Sequence, residues 1–431
     1  MIGKKSSVMM FVRLSGLGLA LVVNVIIARS VGEKGFGLYS YIYSWLILAY
    51  SSLTIGLQTV SLKMVGEYMA KREWGLLRGY ITTVERALVA VSITVAIGIC
   101  LLVVIVGDRA YGAGAEFASA AFLLPFYALF MLRMFILQSL GKSIEAFFLG
   151  LVARPLVLSL LILCATYILG IKLHVLMLVL FDIPPVLVAL AGLTIFMRKS
   201  LPQEYWASER RTKIKQWFDL AKPIYITAGL GVVLSQLDVI MLGMFSAPQE
   251  DLGVFAAAGK LSHLIPIGLM SVNAVAVPIM SRQWAAGNMD DLQETVSRMS
   301  LFIMLVTLPI VMIMVFGGEM LLSIFGQTFT RGYAALMIMT AGQAVNAFAG
   351  PVGYIMNVTR LQWHASLVIF VAVLLDISLN CLLIPTYGII GAAISFSASL
   401  IFWNATMFVV IASKLGIYSF PFIRRRSVND G

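Results

Sequence analysis

The sequence predicts an all-α, polytopic membrane protein of about twelve transmembrane helices in two parallel-repeat six-helix lobes, and three observations lead there. First, 60% of the 431 residues are hydrophobic and only 12% are charged, whereas a water-soluble domain carries roughly a quarter charged residues. Second, apolar runs of about twenty residues, the length needed to cross a hydrocarbon core, recur from one end of the chain to the other. Third, the second half of the chain echoes the first.

The spans fall at 8–28, 36–58, 87–107, 117–139, 147–169, 173–196, 223–246, 253–280, 299–317, 332–356, 364–384 and 388–413. Their order sets the direction of each, because cytoplasmic loops are enriched in lysine and arginine. With the N-terminus cytoplasmic, inside segments hold 22 of the 31 Lys and Arg and outside segments only five: Arg29, Lys34, Arg109, Lys172 and Arg331. The inside set begins with Lys4 and Lys5. It continues through Lys63, Lys71, Arg72, Arg78 and Arg86 after the second span and a run from Arg198 to Lys222 after the sixth. It ends with Lys414 and Arg424–Arg426 in the tail. Both termini are therefore expected on the cytoplasmic side of a cell (inner) membrane. The high pI needs no nucleic acid to explain it; positive-inside bias and attraction to anionic lipids account for it.

Lys4 and Lys5 before an apolar stretch resemble a signal peptide. Arg13 interrupts that stretch and no small-x-small cleavage site follows, so an uncleaved first span is expected. Cys100, Cys164 and Cys381 each lie in an apolar run and are expected as small buried packing residues, without metal or disulfide spacing. The stretch 201–222, LPQEYWASERRTKIKQWFDLAK, reads as an interfacial helix with Tyr205, Trp206, Trp217 and Phe218 at the headgroups.

The repeat is visible in SGLGLALVVNVII (15–27) against AGLGVVLSQLDVIM (228–241). It recurs in GFGLYSYIYS (35–44) against EDLGVFAAAGK (250–260). At the offset that pairs Gly37 with Gly253, Ala70 also matches Ala286 and Leu76 matches Leu292. Each copy begins inside, so the halves are parallel repeats, an architecture suited to alternating access. The organisation expected is a six-helix lobe over 1–196, a cytoplasmic amphipathic connector over 197–222, a second lobe over 223–416 and a basic tail over 417–431.

Four segments, ARSVGEKGFGLYSY (28–41), LGVFAAAGKLSHLIPIGL (252–269), PIMSRQWAAGNMDDL (278–292) and LIPTYGIIGAAIS (383–395), carry a family likeness. In their order and spacing the chain resembles the polysaccharide-transporter branch of the multidrug/oligosaccharidyl-lipid/polysaccharide superfamily. Within that branch it is similar to the Wzx-type flippases of bacterial O-antigen, capsule and exopolysaccharide pathways. The resemblance implies two lobes around a central cavity. It also implies an undecaprenyl-pyrophosphate-linked oligosaccharide as substrate, moved from the cytoplasmic to the periplasmic leaflet, with the polymerase and chain-length proteins of the pathway as partners. It supplies no site motif, so the site residues rest on chemistry.

Charges inside a span are costly and mark function. Arg13, Arg133 and Arg154 all fall in the cytoplasmic half of the first lobe, where they either snorkel to headgroups or form a cationic wall. Planar guanidinium groups would suit a pyrophosphate there. Lys260 and His263, three apart and so on one helical face, are candidates for a second cationic contact on the exit side. Asp182 in LFDIPPVL lies beside prolines that break the helix. With Asp238, Asp376 and Asn380 it is a candidate for ion coupling, the other reading being structural pairing.

Other classes fit less well. A drug/cation antiporter of the same superfamily would want acids rather than arginines around its cavity. A membrane polysaccharide polymerase or ligase places catalytic groups on a long outer loop, and every outer connection here is short, so no enzyme activity is expected. No G-x-x-x-x-G-K-[ST] occurs, since LGKS at 140–143 lacks the upstream glycine, and no cofactor or metal is expected.

Overall fold

The computed structural model describes residues 2–106, 112–245 and 247–419, and among them every regular element is helical. Arg109 and the tail arginines Arg424–Arg426 lie outside the described residues. By internal contacts the chain divides into two units, Met1–Gln236 and Leu237–Gly431.

The first unit opens with α1 (Ile2–Lys71), which holds the first two predicted spans and turns between them at Gly32. There φ is +71°, a left-handed conformation that glycine adopts without a Cβ clash. Helix α2 (Trp74–Val106) is the third span and α3 (Gly114–Ser139) the fourth. The fifth is α4 (Ser143–Phe148) and α5 (Arg154–Leu163), joined by a π-helical turn over Leu149–Ala153 and followed by another over Cys164–Ile168. The sixth is α6 (Val175–Phe181) and α7 (Ile183–Ser200), interrupted at Asp182. Helix α3 is the most buried of the candidate spans and packs on α1, α2 and α7.

The stretch after α7 departs from the single interfacial helix expected. It forms a short helix, α8 (Gln203–Ala207), then a non-helical segment, then α9 (Ile214–Met244), which runs straight on into the seventh span. Tyr205 and Trp217 are buried, while Trp206 and Phe218 are exposed. The segment is strapped to the ends of α1 and α2 by polar contacts that hydropathy does not show. Arg78 donates from Nη1 to the carbonyls of Trp206 (2.6 Å) and Ser208 (2.7 Å), and the Arg211 amide donates to Gly75 O at 3.0 Å. Trp217 donates to the Tyr68 hydroxyl at 2.9 Å and meets the Tyr80 ring edge-on at 5.1 Å. The approach is so close that a Cβ on Gly79 would lie 1.8 Å from Arg211 O.

In the second unit the eighth span is broken rather than continuous. Helix α10 (Gln249–Ser262) ends at a turn, and α11 (Ile267–Ala285) follows it. Pro266 sits in that turn; lacking an N–H, it cannot extend the ladder of α10. Helix α12 (Met289–Ser323) is the ninth span. A 3₁₀ turn (Gln327–Gly332) leads into α13 (Tyr333–Phe348) and α14 (Val352–Val358), which make the tenth. The last two spans are one merged element, α15 (Gln362–Leu415), turning at Gly388 where φ is +54°. The span count thus agrees with the sequence. Cys164 and Cys381 are exposed, not buried, because the outer face of a membrane helix is itself apolar and accepts a thiol as readily as the core does.

Candidate functional site

The first unit buries an ionic and phenolic cluster around Asp182. Tyr39, Tyr43 and Tyr50 recur at helical spacing on the second half of α1 and so share one face. Tyr127 comes from α3. The Tyr39 and Tyr43 rings lie 4.2 Å apart and Tyr50 stacks on Tyr127 at 5.3 Å. Asp182, with no exposed surface, accepts hydrogen bonds from the hydroxyls of Tyr43 and Tyr127. Arg154 completes the set: its Nη2 lies 2.7 Å from Asp182 Oδ2 and 2.9 Å from Oδ1. It also donates to the Tyr127 hydroxyl and lies over that ring at 4.7 Å.

Both charged residues stand where a helix is irregular. Arg154 follows directly on a π-helical turn and Asp182 is the break between α6 and α7. Such π turns concentrate at functional sites. The carboxylate makes no cap bond to α7, whose first turn carries Pro184 and Pro185 and so lacks two of its amides. One donor remains over, because Arg154 Nε is buried without a hydrogen-bond partner.

The other two arginines have different surroundings. Arg133 is paired with Glu85, Nε to Oε1 at 2.7 Å and Nη2 to Oε2 at 3.2 Å, and gives Nη1 to Thr194 at 2.7 Å. Its fork is filled by protein. Arg13 is exposed and lies over the Phe147 ring at 4.7 Å, without an ion pair among the described residues. Phe147 and Arg154 are seven residues apart, about 10 Å along a helix at 1.5 Å per residue. Arg13 and Arg154 thus mark two depths along one segment of the first unit.

In the second unit Asp238, Asp376 and Asn380 come together, all buried. Asn380 Nδ2 donates to Asp238 Oδ1 at 3.0 Å, and Ser399 donates to Asp376 Oδ1 at 3.1 Å. Asp376 Oδ2 and Asn380 Oδ1 are left buried without partners. Lys260 is exposed near the end of α10, and His263 is exposed just beyond it, its Nδ1 3.3 Å from Gln343 Nε2.

Tyr43, Tyr127, Glu85, Ser399 and Gln343 escape a reading of the sequence. The tyrosines sit in apolar runs where aromatic packing is the ordinary expectation. Glu85 offered a signal, since it lies four residues before Val89 in a helix whose apolar run begins nearby, but hydropathy alone places it outside the span.

Comparison with known proteins places this arrangement. Residues 2–284 match the model of the family described as "Polysaccharide biosynthesis protein", and residues 223–382 match the MatE model. The chain is 24% identical over 184 residues to the "Probable low-salt glycan biosynthesis flippase Agl15" of Haloferax volcanii, covering 42% of this chain and 39% of that protein. It is also 24% identical over 187 residues to the uncharacterized membrane protein MJ1068 of Methanocaldococcus jannaschii, covering 43% of this chain and 37% of that protein. The chain therefore matches less than half the length of either curated relative.

Among solved structures, the lipid II flippase MurJ in an inward closed conformation superposes with TM-score 0.74 at 13% identity, over 94% of this chain and 87% of that one. An inward-facing multidrug resistance MATE family transporter gives 0.71 at 12% identity, over 94% and 98%. At such identity the likeness establishes fold alone. With the family model covering well over half its length, the chain belongs to the family described as "Polysaccharide biosynthesis protein".

Proposed function

We propose that the protein is a flippase for a polyprenyl-pyrophosphate-linked oligosaccharide, moved from the cytoplasmic to the outer leaflet by alternating access. The observation that carries the reading is Arg13: a guanidinium within an apolar span, exposed and without a carboxylate partner among the described residues. A cation so placed suits an anion arriving through water, and a pyrophosphate offers paired oxygens to its fork. Arg154 is the deeper contact. Its side chain keeps exposed surface beside the enclosed Asp182, so it can meet a phosphate oxygen by sharing or exchanging the carboxylate. Arg133, already bidentate with Glu85, holds α3 to α2.

The reading includes lobes over 1–196 and 223–416 joined by the cytoplasmic connector, cytoplasmic termini, and a place in O-antigen, capsule or exopolysaccharide assembly beside its polymerase and chain-length proteins. Asp238, Asp376 and Asn380 are proposed as an ion-coupling set, since two of their oxygens are buried without partners. A relative named as a probable glycan biosynthesis flippase supports the substrate class. The MatE match favours a drug/cation antiporter instead, but the uncompensated Arg13 is the wrong charge for a cationic drug.

Export of surface glycan in cells lacking the native gene tests the proposal. Arg13→Lys should export, and Arg13→Glu should insert normally yet fail. Full export by Arg13→Glu would return Arg13 to a lipid-headgroup anchor and remove the reading's main support.

A further inference from the structure

The break between α10 and α11 leaves a polar chain that neither the helix ladder nor the ion-pair network uses. It starts at Asn346 on α13, whose Nδ2 donates to Gln343 Oε1 at 3.1 Å. Gln343 is buried, and its Nε2 lies 3.3 Å from His263 Nδ1. An amide nitrogen can only donate, so Nδ1 accepts, and the imidazole carries its proton on Nε2. This direction fixes what the chain presents. His263, exposed at the end of α10, offers an N–H donor; Asn346, half-buried, keeps its Oδ1 as an acceptor among the described residues. The half-buried Phe396 ring stands edge-on to the imidazole, 6.0 Å between centroids.

A purely structural network would end on a backbone carbonyl of the broken helix. This one ends on an exposed imidazole edge. Lys260, one turn earlier, is exposed on the same side of the break. Leaving an ammonium, an imidazole N–H and an amide oxygen against hydrocarbon would cost several kcal/mol, so this surface faces water. A neutral donor and a neutral acceptor held beside an aromatic ring suit hydroxyl groups, each of which both donates and accepts. They suit a diphosphate less well, since it only accepts.

We infer that His263, Asn346 and Phe396, positioned by Gln343, form a subsite for the sugar hydroxyls of the transported lipid, separate from the arginines that meet its phosphates. This rests on the flippase reading and adds to it a glycan-recognising element in the second unit. Gln343 acts as a positioning residue, because it touches the imidazole and not the sugar.

The test uses the full chain in nanodiscs and two probes, undecaprenyl pyrophosphate and the same lipid carrying an N-acetylhexosamine-containing disaccharide. Wild type should bind the glycosylated lipid more tightly than the bare one. His263→Ala and Asn346→Ala should each reduce that preference about five- to tenfold, the worth of one to two hydrogen bonds, while affinity for the bare lipid stays unchanged. Gln343→Glu should reduce it too, because the carboxylate draws the proton to Nδ1 and turns Nε2 into an acceptor. With only three histidines in the chain, ¹⁵N shifts of labelled imidazoles report that change of tautomer directly, which a merely structural role would not produce. Equal wild-type affinity for the two lipids, or variants that keep the full preference, overturns the subsite and leaves the flippase reading standing. Wild type that binds neither lipid overturns both.

Discussion

Arg154 and Asp182 form an ion pair, Nη2 to Oδ2 at 2.7 Å, between two spans that are each irregular at the contributing residue. The carboxylate is wholly enclosed while the guanidinium keeps 19% of its side-chain surface. That asymmetry gives Arg154 a way to answer to something outside the cluster and gives Asp182 none. In the proposed reading, a substrate phosphate reaches the arginine only in competition with the acid beneath it.

Removing one partner of a buried pair strands the other charge and costs about 3–5 kcal/mol, whereas replacing both by apolar residues is often neutral. Arg154→Met and Asp182→Leu should therefore each lower the melting temperature of the detergent-solubilised protein. The double variant should recover most of the loss yet export no glycan. A double variant that exports at the wild-type rate would make the cluster a structural feature only.

Arg133 behaves differently on this account. Arg133→Gln with Glu85→Gln keeps amide contacts at both positions and removes both charges, so export should persist at near the wild-type level. Measured glycan export in that double variant checks it. Complete loss with normal insertion would restore Arg133 to the substrate path.

The strap gives a prediction in the connector. Gly79→Ala places a methyl 1.8 Å from the Arg211 carbonyl, a clash with backbone rather than with a flexible side chain. Overpacking of this kind costs about 1–3 kcal/mol. Protease cleavage at the connector should accelerate in inside-out vesicles, and an unchanged cleavage rate would show that the segment is held otherwise.

How much of this the sequence carries depends on the kind of signal. Hydropathy reports contact with lipid, so it locates the spans: the turn at Gly32 falls in the gap between the first two, and the turn at Gly388 falls on the first residue of the last. It does not report helix length. Helix α2 begins at Trp74, so Glu85 lies three turns inside a helix whose apolar run starts only at about residue 87. That extension hid the partner of Arg133. The Asp182 cluster is half legible: a carboxylate before Pro184 and Pro185 announces itself, but tyrosines in an apolar run do not. Gln343 and Asn346 in AGQAVNAF gain meaning only when α13 is laid beside the end of α10. No hydropathy rule would have put a break at His263, although Pro266 was there to suggest it.

The proposed coupling rests on the second unit's acids. Each elementary charge moved across the membrane is worth about 2.3 kcal/mol per 100 mV, and this chain has no P-loop to draw on instead. Asp238→Asn and Asp376→Asn should each blunt the response of flipping to an imposed sodium or proton gradient while leaving basal exchange. Full responses in both variants would make these acids structural.

The measurement that tests the central claim most directly is flipping by the purified chain in proteoliposomes. Fluorescent undecaprenyl-pyrophosphate-linked disaccharide is placed in both leaflets, and its accessibility to an external quencher is followed over time. The account predicts that wild type equilibrates the lipid between leaflets far faster than protein-free vesicles, and that Arg13→Glu does not. Equal rates with and without the protein, or a rate in Arg13→Glu matching wild type, would contradict it.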